Sequence, residues 1–447
     1  MDTIAAISTP RAQGGISVIR ISGSDALGVA DSIFTGRKPS GMNGYTCAHG
    51  NICDKDEILD DVVLTVFRAP HSYTGEDVVE ISCHGGLYVS ERILSLVFSC
   101  GAVPARAGEF TERAFLHGTI GLTEAEAVMD IISAQGRAYL RRAGNVKNGS
   151  MHRRISGFSD RLVKLLGNIS AWIDYPEEDI EGLTDDEIRT ELKDISRGLS
   201  VLSAGYDNSR IIKNGIDTCI AGKPNVGKST LMNAMSGCER SIVTSQAGTT
   251  MDIIEDSVRV GDIVLKLSDT AGIRESDDLI EKAGIDRAVK KMESADLIIA
   301  VFDNSSEFTD DDRNIIELCA AASGKKIACV NKSDTENVFD RDKLSGFDGI
   351  AEISAANHDI SALEKMLCDM FIGEESADEV LINERQKQCL DRAIALVDEA
   401  YQSIGNITLD AVNIVLDEAL DSLLELSGEK VSDKVVGEVF SHFCVGK

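Results

Sequence analysis

The segment GKPNVGKST, residues 222–230, limits the possible folds of this chain more than any other part of its sequence. It fits the pattern G-x-x-x-x-G-K-[ST] after the apolar run IDTCIAG and before STLMNAMSG, which has a helical composition. In such a strand–loop–helix unit, backbone N–H groups surround phosphates at the helix N-terminus. Lys228 would reach the β and γ phosphates, and the Ser229 hydroxyl would bind Mg²⁺. The segment therefore predicts a nucleotide-binding α/β domain.

Four further short motifs follow the phosphate loop in order. They are GTT at 248–250, DTAG at 269–272, NKSD at 331–334 and SA at 354–355. The set resembles the motifs of the Ras-like translation-factor class of GTPases. In that class the NKxD aspartate, here Asp334, accepts hydrogen bonds from the guanine N1–H and 2-amino groups, which adenine cannot supply. Because a buried carboxylate left unpaired would strongly penalise ATP, the set predicts GTP as the nucleotide.

Hydrolysis requires a positioned water molecule and compensation of the charge that develops on the phosphates. The residue after DTAG is Ile273, where Ras has its water-orienting glutamine, and an isoleucine side chain forms no hydrogen bonds. Asn225 in the loop and Glu281 beyond DTAG are the nearby polar candidates for this work. A loop cap and a solvated helix charge are their alternative roles.

The hydrophobic period changes along the rest of the chain. Runs such as GGISVIRIS and DDVVLTVF indicate an N-terminal α/β domain, whereas RLVKLLGNISAWI and the leucines of 416–424 have helical spacing. The sequence therefore predicts a multidomain α/β plus α protein in which a Ras-like P-loop GTPase domain is inserted into a helical one. The predicted limits are 1–117 for the α/β domain, 118–213 and 374–447 for the two helical parts, and 214–373 for the GTPase domain.

The composition is that of an ordinary globular protein. Hydrophobic residues make up 43% of the 447 residues and charged residues 27%, and no apolar run approaches the roughly 20 residues that span a bilayer. The N-terminus lacks the pattern of a signal peptide, so a cytoplasmic location is expected. The eleven cysteines include no C-x-x-C pair, which favours reduced thiols.

Net charge argues against a general nucleic-acid binder. The formal charge is -29, and phosphate contacts come from Lys and Arg. One basic segment, 131–166, interrupts this acidic background before the strongly acidic DYPEEDIEGLTDDE. The segment is either a solvated helix face or an RNA contact.

The last five residues, FCVGK, place Cys444 where a lipid-modified GTPase carries its prenylation cysteine. A prenylation box has aliphatic residues after the cysteine and Ser, Met, Gln, Ala, Leu or Phe last, whereas Val, Gly and Lys follow here. The tail therefore disfavours a membrane anchor. Cys444 is either a reactive group or a buried structural cysteine.

A resemblance extends over essentially the whole chain. It is carried by TPRAQGGISVIRISG, SYTGEDVVEISCHGG, GEFTERAFLHG, DYPEED, the GTPase motifs and FCVGK. Together these segments resemble the tRNA-modification GTPase family MnmE (TrmE). The resemblance implies a tetrahydrofolate-binding N-terminal domain and a homodimer. It also implies a heterotetramer with the FAD-dependent partner MnmG (GidA), which adds aminomethyl or carboxymethylaminomethyl groups to C5 of the wobble uridine of certain tRNAs.

The same resemblance implies roles for individual residues. Glu281 would orient the attacking water and Cys444 would lie near a one-carbon donor or the uridine, both as catalytic groups. The folate site would use Arg20, Glu80 and Lys447, with Thr119 at a position where the family has lysine. Ser229 and Thr250 would bind Mg²⁺. The K⁺ ligands would be Asn225, Thr244, Gln246 and Thr249. The implied GTP contacts are Asn225, Val226, Gly227, Lys228, Ser229, Thr230, Thr244, Ser245, Gln246, Ala247, Gly248, Thr249, Thr250, Asp269, Thr270, Ala271, Gly272, Asn331, Lys332, Asp334, Ser354 and Ala355.

The sequence also departs from the family pattern. Thr119 replaces the folate-facing lysine, and Met251 replaces an arginine after GTT. A second hypothesis is an RNA-binding ribosome-assembly GTPase of the Era or Der type. Such a protein would have a second phosphate loop or a basic C-terminal module, and this hypothesis does not explain the first 117 residues.

Overall fold

The computed structural model describes residues 2–134, 136–174, 184–236, 256–261, 263–268, 292–371 and 382–447. The described strands are β1 (Ile4–Ile7), β2 (Ile16–Ser22), β3 (Phe34–Thr35), β4 (Thr46–Asp54), β5 (Glu57–Phe67), β6 (Val78–His84), β7 (Val103–Pro104), β8 (Ile216–Ala221), β9 (Asp256–Val260), β10 (Ile263–Ser268), β11 (Leu297–Asp303), β12 (Lys325–Asn331) and β13 (Gly349–Glu352). Short 3-10 helices lie at Pro39–Gly41, Arg341–Leu344 and Ala355–Asn357.

The described α-helices are α1 (Ala26–Ile33), α2 (Leu87–Ser99), α3 (Glu109–Leu116), α4 (Leu122–Ser133), α5 (Arg137–Lys147), α6 (Ser150–Asp174), α7 (Asp185–Asn214), α8 (Lys228–Ser236), α9 (Asp310–Ala321), α10 (Ser361–Phe371), α11 (Glu384–Ser403), α12 (Leu409–Ser427) and α13 (Asp433–Ser441). Among them, no helix is both long and apolar enough to cross a membrane.

The chain divides into two compact units. The first comprises Met1–Met129, Asn145–Ser200 and Gln388–Lys447, and the second comprises Asp130–Gly144 and Val201–Lys387. Each unit contains its own sheet. The multidomain α/β plus α architecture predicted from the sequence is confirmed, whereas the predicted domain limits stay a prediction.

The sheet of the first unit has the strand order β3-β4-β5-β6-β2-β1-β7. Its neighbours are antiparallel except β1 and β7, which are parallel. Alternate residues of β6, including Val79 and Ile81, are buried in a core shared with α1 and α2. This alternation puts residues such as Glu80 on the opposite face, where it pairs across the strands with Arg20.

Helices α6 and α12 pack against each other in the same unit. Leu162 and Leu165 of α6 and Leu416 of α12 are buried, as their helical spacing predicts. The Asn413 side-chain amide also donates a hydrogen bond of 3.0 Å to Ser170 Oγ. Segments from before and after the GTPase motifs therefore form one helical layer.

The sheet of the second unit has the order β13-β12-β11-β8-β10-β9. All neighbours are parallel except the β9–β10 pair. Strand β11 is buried along its whole length, since Ile299 and Val301 face one core and Ile298 and Phe302 face the other. In open parallel sheets, ligands bind at the carboxyl ends of the strands, and the phosphate loop, NKSD and SA follow the carboxyl ends of β8, β12 and β13.

Candidate nucleotide site and the docked C-terminal tail

The phosphate loop lies between β8 and α8, as the sequence predicts. Gly227 directly precedes the helix with φ of 100°, a left-handed conformation that favours glycine. A Cβ at this position would also clash with Asn331 Nδ2. The glycine is therefore required both by the backbone and by the close approach of the NKSD motif.

Lys228, the first residue of α8, folds back over the loop. Its ammonium donates hydrogen bonds to the carbonyl oxygens of Gly222 and, at 2.9 Å, Lys223. Desolvation by burial lowers the pKa of this ammonium. A bound phosphate would supply a negative charge, since among the described residues the Lys228 ammonium contacts only carbonyl oxygens.

The Asn331 side chain joins three of the predicted motifs. Its amide nitrogen donates to the Val226 carbonyl of the phosphate loop at 2.9 Å, and its amide oxygen accepts from the Ala355 backbone N–H at 3.0 Å. Asn331 is 3% exposed, so both bonds are shielded from water. One buried side chain thus fixes the distance between the phosphate loop and the motifs predicted to bind guanine.

Asp334 is exposed at the end of this arrangement and is available to a base. Its Oδ1 accepts a hydrogen bond of 2.6 Å from Ser354 Oγ, and Asn357 Nδ2 donates to the same hydroxyl at 3.0 Å. The hydrogen bond from Ser354 lowers the pKa of Asp334. The carboxylate is therefore ionised at neutral pH, as an acceptor of two guanine hydrogen bonds must be.

Only some of the predicted metal-binding residues lie in the part of the chain that the structure describes. Ser229 and Thr230 are exposed in the first turn of α8, and Asn225 is exposed with a left-handed φ of 64°. A hydroxyl and an amide oxygen are suitable ligands for hard cations. The predicted residues Thr244, Ser245, Gln246, Ala247, Gly248, Thr249, Thr250, Asp269, Thr270, Ala271, Gly272 and Glu281, and the positions Met251 and Ile273, lie outside the described residues.

Sequence reasoning missed the segment that runs from the end of β11 into the first turn of α9, residues 303–312. At one end, Lys332 Nζ binds Asp303 Oδ2 at 2.5 Å. Burial opposes ionisation of Asp303, but hydrogen bonds from Lys332 and Ser305 lower its pKa overall. At the other end, Lys223 of the phosphate loop binds Asp312. The sequence signal was T-x-x-D at 309–312, a capping box that begins α9.

The C-terminal tail lies on the N-terminal sheet of the first unit. The Gly446 carbonyl accepts hydrogen bonds from Ser8 Oγ at 3.0 Å and from an Arg20 guanidinium nitrogen at 3.5 Å. The Phe110 N–H donates to the Lys447 carbonyl at 3.1 Å. Gly446 has φ of 97°, and an added Cβ would lie 2.9 Å from the Ser8 Cα. This close packing requires glycine in the tail.

Arg20 and Glu80, the predicted folate residues, form an ion pair of 2.8 Å beside the tail. The Arg20 guanidinium also lies over the rings of Tyr73, at 5.3 Å, and Phe110, at 5.5 Å. Thr119 lies beside Tyr73, since its hydroxyl is 3.4 Å from the Tyr73 carbonyl oxygen. That hydroxyl donates at 2.7 Å to the Ala114 carbonyl at the end of α3.

Lys447 and Cys444 are brought to the same surface by the tail. Lys447 is partly buried, whereas Cys444 is exposed and its thiol is free. The Cys444 carbonyl accepts a hydrogen bond of 3.4 Å from the Gly108 N–H, which fixes the backbone without using the thiol. The exposure excludes a buried structural cysteine.

The mostly parallel sheet, the phosphate loop and the Asn331 and Asp334 contacts define a P-loop GTPase. The family description "GTP-binding protein TrmE N-terminus" matches residues 3–119, and "MnmE helical domain" matches 122–444. The chain therefore belongs to the MnmE family of tRNA modification GTPases, and it is a GTP hydrolase.

Relatives cover the chain from end to end. The tRNA modification GTPase MnmE of Acetivibrio thermocellus is 40% identical over 457 residues, which cover 100% of this chain and 99% of that protein. The proteins of the same name from Geotalea uraniireducens and Thermoanaerobacter pseudethanolicus are 39% and 41% identical, with the same coverage. The G domain of the T. maritima FeoB iron transporter is 22% identical over 36% of this chain and 99% of that one. Its TM-score of 0.26 supports no conclusion.

Proposed function

We propose that this chain is a K⁺-activated GTPase that, with an FAD-dependent partner of the MnmG (GidA) type, modifies tRNA. The product is an aminomethyl or carboxymethylaminomethyl group on C5 of the wobble uridine of certain tRNAs. The observation that carries the proposal is the docked tail, whose Gly446 carbonyl contacts Arg20 of the Arg20–Glu80 pair and which carries the exposed Cys444, in a chain that also contains a GTPase site. The relatives are named tRNA modification GTPases, which is consistent with this substrate.

The residues around the tail fit a tetrahydrofolate one-carbon derivative. Glu80 can accept hydrogen bonds from a pterin ring, and Arg20 and Lys447 can neutralise carboxylates. Tyr73 and Phe110 supply aromatic surface beside Arg20. Thr119 offers a hydroxyl in place of a cation, so affinity for a polyanionic folate is lower than a lysine would give.

The phosphate loop fits Mg²⁺ and K⁺ through oxygen ligands. Ser229 is exposed at the position where a hydroxyl can join a Mg²⁺ bound to phosphates, with Thr250 as its proposed companion. A K⁺ ion against the phosphates would supply the positive charge that an arginine finger supplies in other GTPases. Its proposed ligands are Asn225, Thr244, Gln246 and Thr249.

Assembly and location follow the same proposal. The chain works as a homodimer whose GTPase domains pair during hydrolysis, and it forms a heterotetramer with the FAD-dependent subunit in the cytoplasm. In this arrangement Glu281 orients the attacking water.

Replacing K⁺ by Na⁺ at constant ionic strength is expected to slow GTP hydrolysis by about 1,000-fold or more, the lower end of the range for loss of an arginine finger at the transferring phosphates. Na⁺ is smaller and requires shorter contacts than these ligands would offer. The measurement is phosphate release by the full chain, with Asn225→Ala as the matched variant. The Asn225→Ala variant should hydrolyse GTP slowly in both salts. Equal hydrolysis rates of the wild-type chain in K⁺ and Na⁺ would contradict the proposed K⁺ site.

Cys444→Ser is expected to leave GTP turnover within about twofold of wild type while abolishing uridine modification, because the thiol lies in a different compact unit from the phosphate loop. Modification is measured by nucleoside mass spectrometry of tRNA incubated with the chain, its partner and the cofactors. Cys47→Ser, at another exposed cysteine, is the control and should modify normally. If Cys444→Ser modifies the uridine at the wild-type level, the thiol has no chemical role in the modification.

A further inference from the structure

Lys223 lies in the phosphate loop, but its side chain binds outside it. Its ammonium contacts Asp312 Oδ2 at 2.7 Å and Thr309 Oγ1 at 3.3 Å, at the beginning of α9. The Lys223 side chain is 14% exposed and that of Asp312 is 0% exposed. This contact is a buried ion pair, which differs in its energetics from the surface pairs elsewhere in the chain.

The Asp312 carboxylate depends on Lys223 for charge compensation. Its Oδ2 also accepts hydrogen bonds from the Thr309 N–H at 3.0 Å and the Thr309 hydroxyl at 2.7 Å. Its Oδ1 has no hydrogen-bond partner among the described residues. A fully buried carboxylate with one unsatisfied oxygen would hold Lys223 tightly, since release of the ammonium would leave the charge uncompensated.

The backbone of Lys223 connects this pair to the phosphate-binding lysine. The Lys223 carbonyl accepts the 2.9 Å hydrogen bond from the Lys228 ammonium. One residue therefore contacts α9 through its side chain and Lys228 through its backbone. The same connection between β11 and α9 binds Lys332 of the NKSD motif through Asp303, so it contacts both halves of the nucleotide site.

We infer that Lys223 and Asp312 are positioning residues for the phosphates. Their ion pair holds the loop in the conformation in which its N–H groups and Lys228 converge on the nucleotide, and so it sets nucleotide affinity. The inference rests on the proposed binding of GTP by this loop. If the pair were only structural, it would stabilise the folded domain, but it would not change the affinity of the folded domain for the nucleotide.

The test separates these two roles with a double variant. Replacing a buried ion pair by apolar residues of similar volume is often neutral for stability, whereas removing one partner is not. Lys223→Met/Asp312→Leu should therefore unfold within about 4 °C of wild type. Its Kd for a fluorescent GDP analogue should nevertheless rise about tenfold or more, as expected when binding groups are misplaced. Lys223→Met alone should lose both stability and affinity.

Lys213→Met is the matched control, because Lys213 forms a 2.7 Å pair with Asp130 away from the phosphate loop in the same unit. It should bind GDP like wild type. Wild-type affinity in the double variant would overturn the inference. If the double variant does not fold, Asp312→Asn decides instead, where at least a threefold loss of affinity supports the inference and no loss overturns it. Failure of the wild-type chain to bind GDP would overturn the nucleotide site itself and this inference with it.

Discussion

Lys228→Ala is expected to weaken GTP binding by at least about 100-fold, because two charge-assisted hydrogen bonds to phosphate are lost. The Lys228 ammonium is partly desolvated and contacts only carbonyl oxygens among the described residues, so the protein itself gains little from its charge. Alanine should therefore leave the thermal unfolding temperature almost unchanged. The measurement is titration with a fluorescent GTP analogue, together with thermal unfolding of the same sample.

The control for Lys228→Ala is Lys343→Ala, which removes an exposed lysine from the 3-10 helix Arg341–Leu344 of the same unit. It removes one positive charge without touching the phosphate loop, so GTP affinity should stay within about twofold of wild type. Micromolar affinity retained by Lys228→Ala would remove the assignment of the phosphate loop.

Asp334→Asn is expected to lower GTP affinity by about 100-fold and to raise affinity for xanthosine triphosphate. In the predicted role, the carboxylate would accept hydrogen bonds from both the guanine N1–H and the 2-amino group. An amide could accept only one of them, and its own N–H donors would face the other guanine donor. Xanthine has a carbonyl at position 2, which the new amide can bind as a donor. The Ser354 hydroxyl can still donate to the amide oxygen, so the local fold is retained.

Competition of GTP, ATP and xanthosine triphosphate against a fluorescent nucleotide measures this change of specificity. Ser361→Ala is a suitable control, since its hydroxyl binds Asp359 and contacts none of the predicted base-binding residues. An Asp334→Asn variant with wild-type preference for GTP would exclude Asp334 from base recognition.

The fold of the nucleotide site could be predicted from the sequence because the strand, loop and helix that form it are close together in the chain. The phosphate loop is contiguous with its strand and helix, so pattern and position agree within residues 216–236. The order of the later motifs along the chain also predicted a Ras-like GTPase domain, whose α/β sheet the structure contains. The Asn331 bridge between two motifs was not predicted, since NKSD gives no information about which loop its first residue contacts.

The tail and the Lys223–Asp312 pair depend on distant contacts. Ser8 and Gly446 are 438 positions apart, and no periodicity connects them. The Arg20–Glu80 pair depends on the register of β2 and β6. A shift of one residue would move the side chains of one strand to the opposite face of the sheet. Resemblance supplied Arg20 and Glu80, but only the packed sheet explains why Gly446 must be glycine.

The most direct test of the account is nucleoside mass spectrometry of tRNA from cells depleted of this protein, with and without rescue by the intact chain. We expect C5-aminomethyl and carboxymethylaminomethyl wobble uridines to disappear on depletion and to return with the wild-type chain, but not with Lys228→Ala. Unchanged uridines together with accumulating ribosome precursors would contradict the account and favour a ribosome-assembly GTPase.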